Sequence, residues 1–334
     1  MNRRELLAVA AMIGAAPALR WIGISAQDAT PAASPAAMTP DQLMKAYGPV
    51  KGKSAYNLAY MQVFPSNQFW QTMKEAVQAR APEDGVTVDV IALPDNGTIS
   101  DQVAQMEDAV TKGYQGIILG TIDAAGIVPG IQAANDAKIP VLSVDTAPAG
   151  GAIISLVQTD NIVAAGLGAN FIVKAIDASG KVLNLQGDMA NQTAQARNVG
   201  LHKVLDKYPD IKVIDQSAHW NGAEGLSITE NILTSDPDLK AIFAANDPPA
   251  LGAIQALKAA GRSDVVVVGY DGTPAGLQAI KDGTLAADVL QFPGVMGTIG
   301  VDLMVRHLNG EEIPTHVDSG SGLATKANVD QYLK

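Results

Sequence analysis

The chain has 334 residues, enough for two domains with separate cores, and 47% of them are hydrophobic against 17% charged, an ordinary globular balance. A formal net charge of −11 argues against a nucleic-acid backbone as partner, since no basic stripe offsets it. Cysteine is absent, which excludes disulfides, thiolate catalysis, cysteine–zinc sites and a lipid-modified cysteine anchor.

MNRRELLAVAAMIGAAPAL opens the chain with a basic start and an apolar core too short to span a bilayer comfortably. Arg3-Arg4 followed by Leu6-Leu7 resembles a twin-arginine export signal, although Leu6 stands where phenylalanine is more usual. Charge, apolar run and polar tail come in signal-peptide order, so residues 1–26 are expected to be an export signal, cleaved after Ala26. QDATPAASPAAMTP follows, a Pro/Ala-rich stretch that buries too little to fold. Residues 27–52 are therefore expected to be a tether, with the folded body starting near Lys53.

From Ser54 the chain alternates short apolar runs with amphipathic segments. YNLAYMQVF, VTVDVIAL, GIILGT and IPVLSVDT read as strands, and the segments from Gln68, Ile99 and Ala124 as helices. Repeated strand–helix units predict a parallel, doubly wound sheet. After GAIISLVQTDN the cycle restarts: KVLNLQG, IKVIDQSA, KAIFAAND and VVVVGYDG read as strands, with helices near Thr193, Gly222, Pro249 and Thr273. The expected class is α/β, with two doubly wound parallel-sheet lobes of similar size. LAADVLQFPG, a helix through Leu308 and the strand-like THVDSG can pass between them. No short-period repeat is visible.

Within VVVVGYDGTPAG, a valine run apolar enough to be buried on both faces ends on a carboxylate, Asp271. Asp145 and Asn246 end other strands in the same way, and Asn67 and Gln291 sit at turns flanking strands. Each alone reads as a helix cap. Together they suggest two sheet edges facing each other across a polar cleft, at the strand carboxyl ends where open α/β sheets bind ligands. Aromatic residues are only 4% of the chain, yet Phe64, Phe69 and Trp70 cluster around SNQFW and Trp220 lies in AHWNG. Phe64 is expected in the core, whereas a tryptophan in a polar turn offers a flat partner to a sugar ring.

These pieces resemble a known family. SNQFWQTMKEA, IPVLSVDT, QTDN, VLNLQG, AIFAANDPPALGAIQAL, VVVVGYDGTPAG and LAADVLQ, in this order from about Asn57 to Val317, are similar to the periplasmic sugar-binding proteins of the ribose-binding type. The resemblance implies a type I periplasmic binding protein fold, with a three-crossing hinge between lobes that close over one monosaccharide. It implies an N-terminal lobe of 53–158 plus 292–317 and a C-terminal lobe of 159–291 plus 318–334. Matched motif by motif, it implies sugar contacts from Asn67, Phe69, Trp70, Asp145 and Thr159. From the second lobe it implies stacking by Trp220 and polar contacts from Asn246, Asp271 and Gln291. The implied partners are a neutral monosaccharide and the membrane subunits of an ABC importer, with the protein a monomer that needs no cofactor or metal.

Two departures from the family pattern concern arginines. Thr146 stands where an arginine follows the fourth-strand aspartate, and Gln195 stands where a second ligand-binding arginine is usual. Arg197, two residues on, is expected to face away, and Asn191 and Gln195 to serve as replacement donors. Losing two fork-shaped cations favours a neutral ligand and puts ribose itself in doubt.

Other functions fit less well. His202, His219, His307 and His316 show no metal-binding spacing, no phosphate loop occurs, and Gly166-Leu-Gly168 lacks the third glycine of a dinucleotide site. Asp145 and Asp271 could imitate a glycosidase pair, so a hydrolase is one rival reading. A sugar-responsive repressor is another, but it needs a basic helix-turn-helix head where the export signal and tether stand. A receptor for a cyclic polyol or another small hydroxylated signal, serving chemotaxis, is the third.

Overall fold

Runs such as Gly116–Leu119 and Val141–Val144 are buried along their whole length, which requires helices on both faces of the sheet they join. The computed structural model describes residues 38–333, which form two such sheets. The first lobe contains α1 (Pro40–Ala46), β1 (Asn57–Gln62), α2 (Gln68–Asp84), β2 (Thr87–Ala92), α3 (Ile99–Lys112), β3 (Gly116–Leu119), α4 (Val128–Asp136), β4 (Val141–Val144) and β5 (Ser155–Gln158). The second contains α5 (Asn161–Ala175), β6 (Gly180–Gln186), α6 (Gln192–Leu205), β7 (Ile211–Ser217), α7 (Gly222–Ser235), β8 (Leu239–Ala244), α8 (Asp247–Ala259), β9 (Val266–Asp271), α9 (Pro274–Asp282) and β10 (Ala287–Leu290). The chain then returns to the first lobe with α10 (Pro293–Leu308) and β11 (His316–Asp318), and ends in the second with β12 (Gly322–Thr325).

The sheet orders are β11-β5-β4-β3-β1-β2 and β12-β10-β9-β8-β6-β7. Every pairing is parallel except β10 with β12. Both lobes therefore present their strand carboxyl ends toward the same gap. The chain crosses between lobes after β5, after β10 and after β11. The first and third crossings are tied together: Ser319 N donates to Gln158 O at 2.8 Å, and the Thr159 and Ser319 hydroxyls lie 3.2 Å apart.

The expected export signal and most of the Pro/Ala-rich segment lie outside the described residues. The rest of that segment corrects the expectation of a tether through residue 52. Thr39 and Gln42 form a reciprocal capping box around Pro40 at the first helical position, and Leu43 is buried in the first-lobe core. Val50 N donates to Asp84 and Lys53 N to Asn309, fastening this strap to α2 and α10. Pro/Ala composition hid a capping signature. The helix α5 was not named from sequence either; NIVAAGLGANFIVKA is apolar nearly all round and packs on α6 and the second sheet.

Each lobe also buries a pair of carboxyls. In the first, Arg80 holds Asp302 with two bonds of 2.7 and 3.0 Å, and Asp84 lies 3.8 Å away. In the second, Asp247 and Asp288 lie against each other without an arginine. Burial raises both, and the neighbouring Asp247 charge lifts Asp288 well above the ordinary carboxyl value. Two negative charges are disfavoured together in so buried a site.

Candidate functional site

The cleft between the strand ends is lined from the first lobe by Phe64, Asn67, Phe69, Trp70 and Asp145. The second lobe lines it with Asn191, Thr193, Arg197, Trp220, Asn246, Asp271 and Gln291. It holds about 370 Å3 of atom-free space, part of it open to solvent.

Local sequence explains how each side chain arrives there. Asn67 caps α2, its Oδ1 accepting from Phe69 N at 2.8 Å, and so presents Phe69 and Trp70 on the first turn. Their rings meet edge to face with centroids 5.4 Å apart. Trp70 and Trp220 each lie on a glycine at a strand end. A Cβ on Gly120 would stand 2.6 Å from the Trp70 ring, and one on Gly187 would stand 2.3 Å from that of Trp220. Asn246 precedes α8 without capping it, and its buried Oδ1 has no partner. Thr273 caps α9 instead of Asp271, its Oγ1 accepting from Gly276 N at 3.2 Å. Asp271 is left to face the cleft, where Gln291 Nε2 donates to it at 2.7 Å. Gln291 Oε1 is buried and unpaired.

Backbone strain gathers at the same place. Phe64, Asp145, Trp220 and Asp271 all hold positive φ, at 47°, 65°, 63° and 114°. Such angles are uncommon outside glycine and cost of order 1–3 kcal/mol each. All four residues line the cleft.

Arg197 overturns its expected outward position. Its guanidinium is buried, 3.8 Å above the Tyr270 ring and 5.5 Å from that of Trp220. It donates to Asn161 Oδ1 at 2.9 Å, to Ala245 O at 2.5 Å and, more weakly, to Asp271 Oδ1 at 3.4 Å. The signal was present in the sequence: Thr193, Arg197, Leu201 and Leu205 recur every four residues on the buried face of α6. Gln195, expected as a donor, falls on the outer face, exposed and bonded to Met189 O. Thr159, expected as a ligand contact, is sealed in the hinge with Ser319 and Gly320. Phe64, expected in the core, packs on the core and lines the cleft as well. His219 is exposed and bonded to Glu224.

Burial raises both cleft aspartates above the ordinary carboxyl value. Asp271 is pushed up to about 8, with Arg197 opposing the shift, and Asp145 is raised with Arg197 and Thr146 opposing. Among the described residues no group of three or more His, Asp or Glu side chains is arranged to hold a metal ion. None of the described helices is long and apolar enough to cross a membrane.

The lobes touch directly along one rim. Asn191, the cap of α6, donates from Nδ2 to Thr121 O at 3.3 Å, and Ala124 N donates to Ala190 O at 3.2 Å. The Thr146 and Thr193 hydroxyls meet at 3.0 Å, and Thr146 donates to Asp145 at 2.8 Å. On the other rim Ala275 N reaches Gln68 Oε1 at 3.4 Å. The cleft is closed.

Two parallel-sheet lobes, three crossings and a polar, aromatic-lined cleft between strand ends define the type I periplasmic binding protein fold. The chain belongs to that family: residues 58–312 match the periplasmic binding protein domain. It is 32% identical over 248 residues to the ribose import binding protein of Salmonella typhimurium, covering 74% of this chain and 83% of the relative. It is 33% identical over 260 residues to the D-allose-binding periplasmic protein of Escherichia coli, covering 75% and 84%. A solute-binding protein of an ABC transporter from Actinobacillus succinogenes, solved with bound D-allose, superposes with a TM-score of 0.77 at 28% identity. That superposition covers 83% of this chain and all of the other.

Proposed function

We propose that the protein is an extracytoplasmic receptor that captures a neutral monosaccharide between its lobes and hands it to the membrane subunits of an ABC importer. The observation that carries this reading is the pairing of unpartnered buried acceptors with flat apolar faces. Asn246 Oδ1 and Gln291 Oε1 have no partner in the closed cleft, and Asp145 and Asp271 add carboxylate oxygens. Sugar hydroxyls supply the missing donors, while Phe69, Trp70 and Trp220 take the apolar ring faces. Arg197 already donates to Asn161, Ala245 and Asp271 within the protein, which leaves it poorly placed to bind an acidic or phosphorylated sugar. Asp145 and Asp271 clamp hydroxyls and perform no hydrolysis. Asn67, Phe69, Trp70, Asp145, Asn191, Trp220, Asn246, Asp271 and Gln291 stay in the assignment, with Arg197, Thr193 and Phe64 added and Thr159 and Gln195 removed.

A ligand that binds only the native state raises its stability by RT ln(1 + [L]/Kd). Thermal unfolding against D-ribose, D-xylose, D-allose, D-glucose, myo-inositol and D-galacturonate therefore tests the reading, with stabilisation expected from a neutral pentose or hexose. Preferential stabilisation by the acid sugar overturns the charge argument. Export by the twin-arginine route predicts that Lys at positions 3 and 4 blocks secretion; unchanged secretion points to the general secretory route, and retention of the natural protein in the cytoplasm sinks export.

A further inference from the structure

One end of the cleft is shut by the protein itself. Asn191 Oδ1 accepts from Thr193 N at 2.9 Å and from Ala194 N at 3.4 Å. Its Nδ2 lies 3.3 Å from Thr121 O, with Ile122 O and Thr146 Oγ1 each at 3.5 Å. A hydroxyl carries one proton. Thr146 directs its own to Asp145, so at the 3.0 Å contact Thr193 must donate and Thr146 accept. Every donor in this group is thus engaged within the protein. Thr146, Thr193 and Asn191 are 0%, 2% and 4% exposed, although Thr193 and Asn191 line the cavity. Beside them the Ala124–Ala190 backbone bond seals the rim. Other lining residues of the same cleft have the reverse character, with Asn246 Oδ1 and Gln291 Oε1 unpaired.

We infer that Asn191, Thr193 and Thr146 form an end wall that determines which sugar the cleft accepts. This inference rests on the reading of the cleft as a sugar site. The wall does two things at once. Its cross-lobe bonds favour closure whether or not a ligand is present. It also admits no exocyclic group at that end, because a hydroxymethyl directed there must break the Thr146–Thr193 bond and finds no donor in return. Compact pentoses keep the wall intact, and hexoses with a substituent at that end do not.

Two substitutions separate the effects. Thr193→Val keeps the volume and removes the hydroxyl, whereas Thr193→Ala also opens space. The chain has no cysteine, so cysteines introduced in place of exposed Asn96 and Ala223, one on each lobe, carry spin labels at those sites alone. The distance between the labels in sugar-free protein reports the closed fraction, and calorimetric titration with D-ribose, D-xylose, D-allose and D-glucose reports selectivity. Circular dichroism confirms that each variant is folded. The expected result is a closed fraction at least threefold lower in the Val variant and a hexose-to-pentose affinity ratio at least tenfold higher in the Ala variant. An unchanged closed fraction in the first, or an unchanged ratio in the second, overturns the end wall. A wild-type protein that binds none of the four sugars sinks the sugar reading and the wall's selectivity together, whereas sugars that bind with an unaltered ratio sink the wall alone.

Discussion

The two lobes repeat one strand order and diverge in what they place at and behind the cleft. The first lobe lines its edge with rings, Phe64, Phe69 and Trp70, and keeps its buried acidic pair far from the cleft under Arg80. The second lobe lines its edge with Arg197, Asn246, Asp271 and Gln291, and its acidic pair, Asp247 and Asp288, lies directly behind them. Asp247 accepts from both the amide and the hydroxyl of Thr273, the cap of α9, and so sits in the same turn as Asp271. Two arrangements of buried charge follow from one fold. Where an arginine compensates the carboxyls, they tie helices together. Where none does, only protonation relieves them; yet burial and the Asp302 charge also lift Asp84 to about 7 beside Arg80, so stability depends on pH in both lobes.

The largest expected effect tests the compensated pair. Arg80→Ala leaves Asp302 and Asp84 buried without their cation, so stability should fall by about 3–5 kcal/mol, the usual cost of breaking a buried ion pair. Sugar affinity should hardly change. Equilibrium urea unfolding beside calorimetric titration checks both, and a loss of affinity without destabilisation would reverse the contrast between the lobes.

Next comes the cleft of the second lobe. Above pH ~8, where Asp271 is ionised, Asp271→Asn keeps the shape but removes the charge, so affinity for the cognate sugar should drop by roughly 1.5–3 kcal/mol, the worth of hydrogen bonds to a charged group. Trp220→Ala should lose affinity by ring stacking and leave the melting temperature of sugar-free protein nearly unchanged, whereas Asp271→Asn should raise it at neutral pH, because burial disfavours the carboxylate. A large destabilisation with intact affinity in both would make these residues scaffold and place the sugar elsewhere.

Buried carboxyls set a pH window. Burial raises Asp271 to about 8 in the closed cleft, with Arg197 opposing. Its unfolded value is near the ordinary ~3.9. In between, the folded chain binds more protons than the unfolded chain, so stability falls with rising pH. The contribution is fully present below about 3.9 and is lost as pH climbs through the folded value near 8. Thermal melts of sugar-free protein from acid to mildly alkaline pH should show this decline, and Asp271→Asn should flatten it. A decline of equal slope in the variant would assign it to the other raised carboxyls, Asp84, Asp145, Asp247, Asp288 and Asp302. The smallest effect belongs to Gln195→Ala, which should move affinity by less than about 0.5 kcal/mol, as surface changes usually do. A tenfold loss would return Gln195 to the site.

Much of the arrangement was legible. Asp145, Asn246 and Asp271 end or directly follow continuous apolar strands, which puts polar side chains at the carboxyl ends where open α/β sheets bind ligands. GTPAG offers Thr273, with Pro274 after it at the first helical position, as the cap that frees Asp271. What escaped was rotational. Gln195 and Arg197 differ by two positions, about 200° around a helix of 3.6 residues per turn, and matching motifs along the chain could not tell which of them pointed inward. Thr159 failed for another reason: the crossing that buries it is completed by Ser319 and Gly320, 160 residues later in the chain.

Composition, order and spacing by themselves determined the class of fold, the two lobes and most of the cleft, because burial patterns and caps are local consequences of side-chain chemistry. The tertiary structure alone decided that Arg197 stacks on Tyr270, that the Pro40–Ala46 strap belongs to the body, and that Thr146 meets Thr193 across the gap. Each of these depends on surfaces brought together from distant parts of the chain, and packing between them is set only when both lobes are in place.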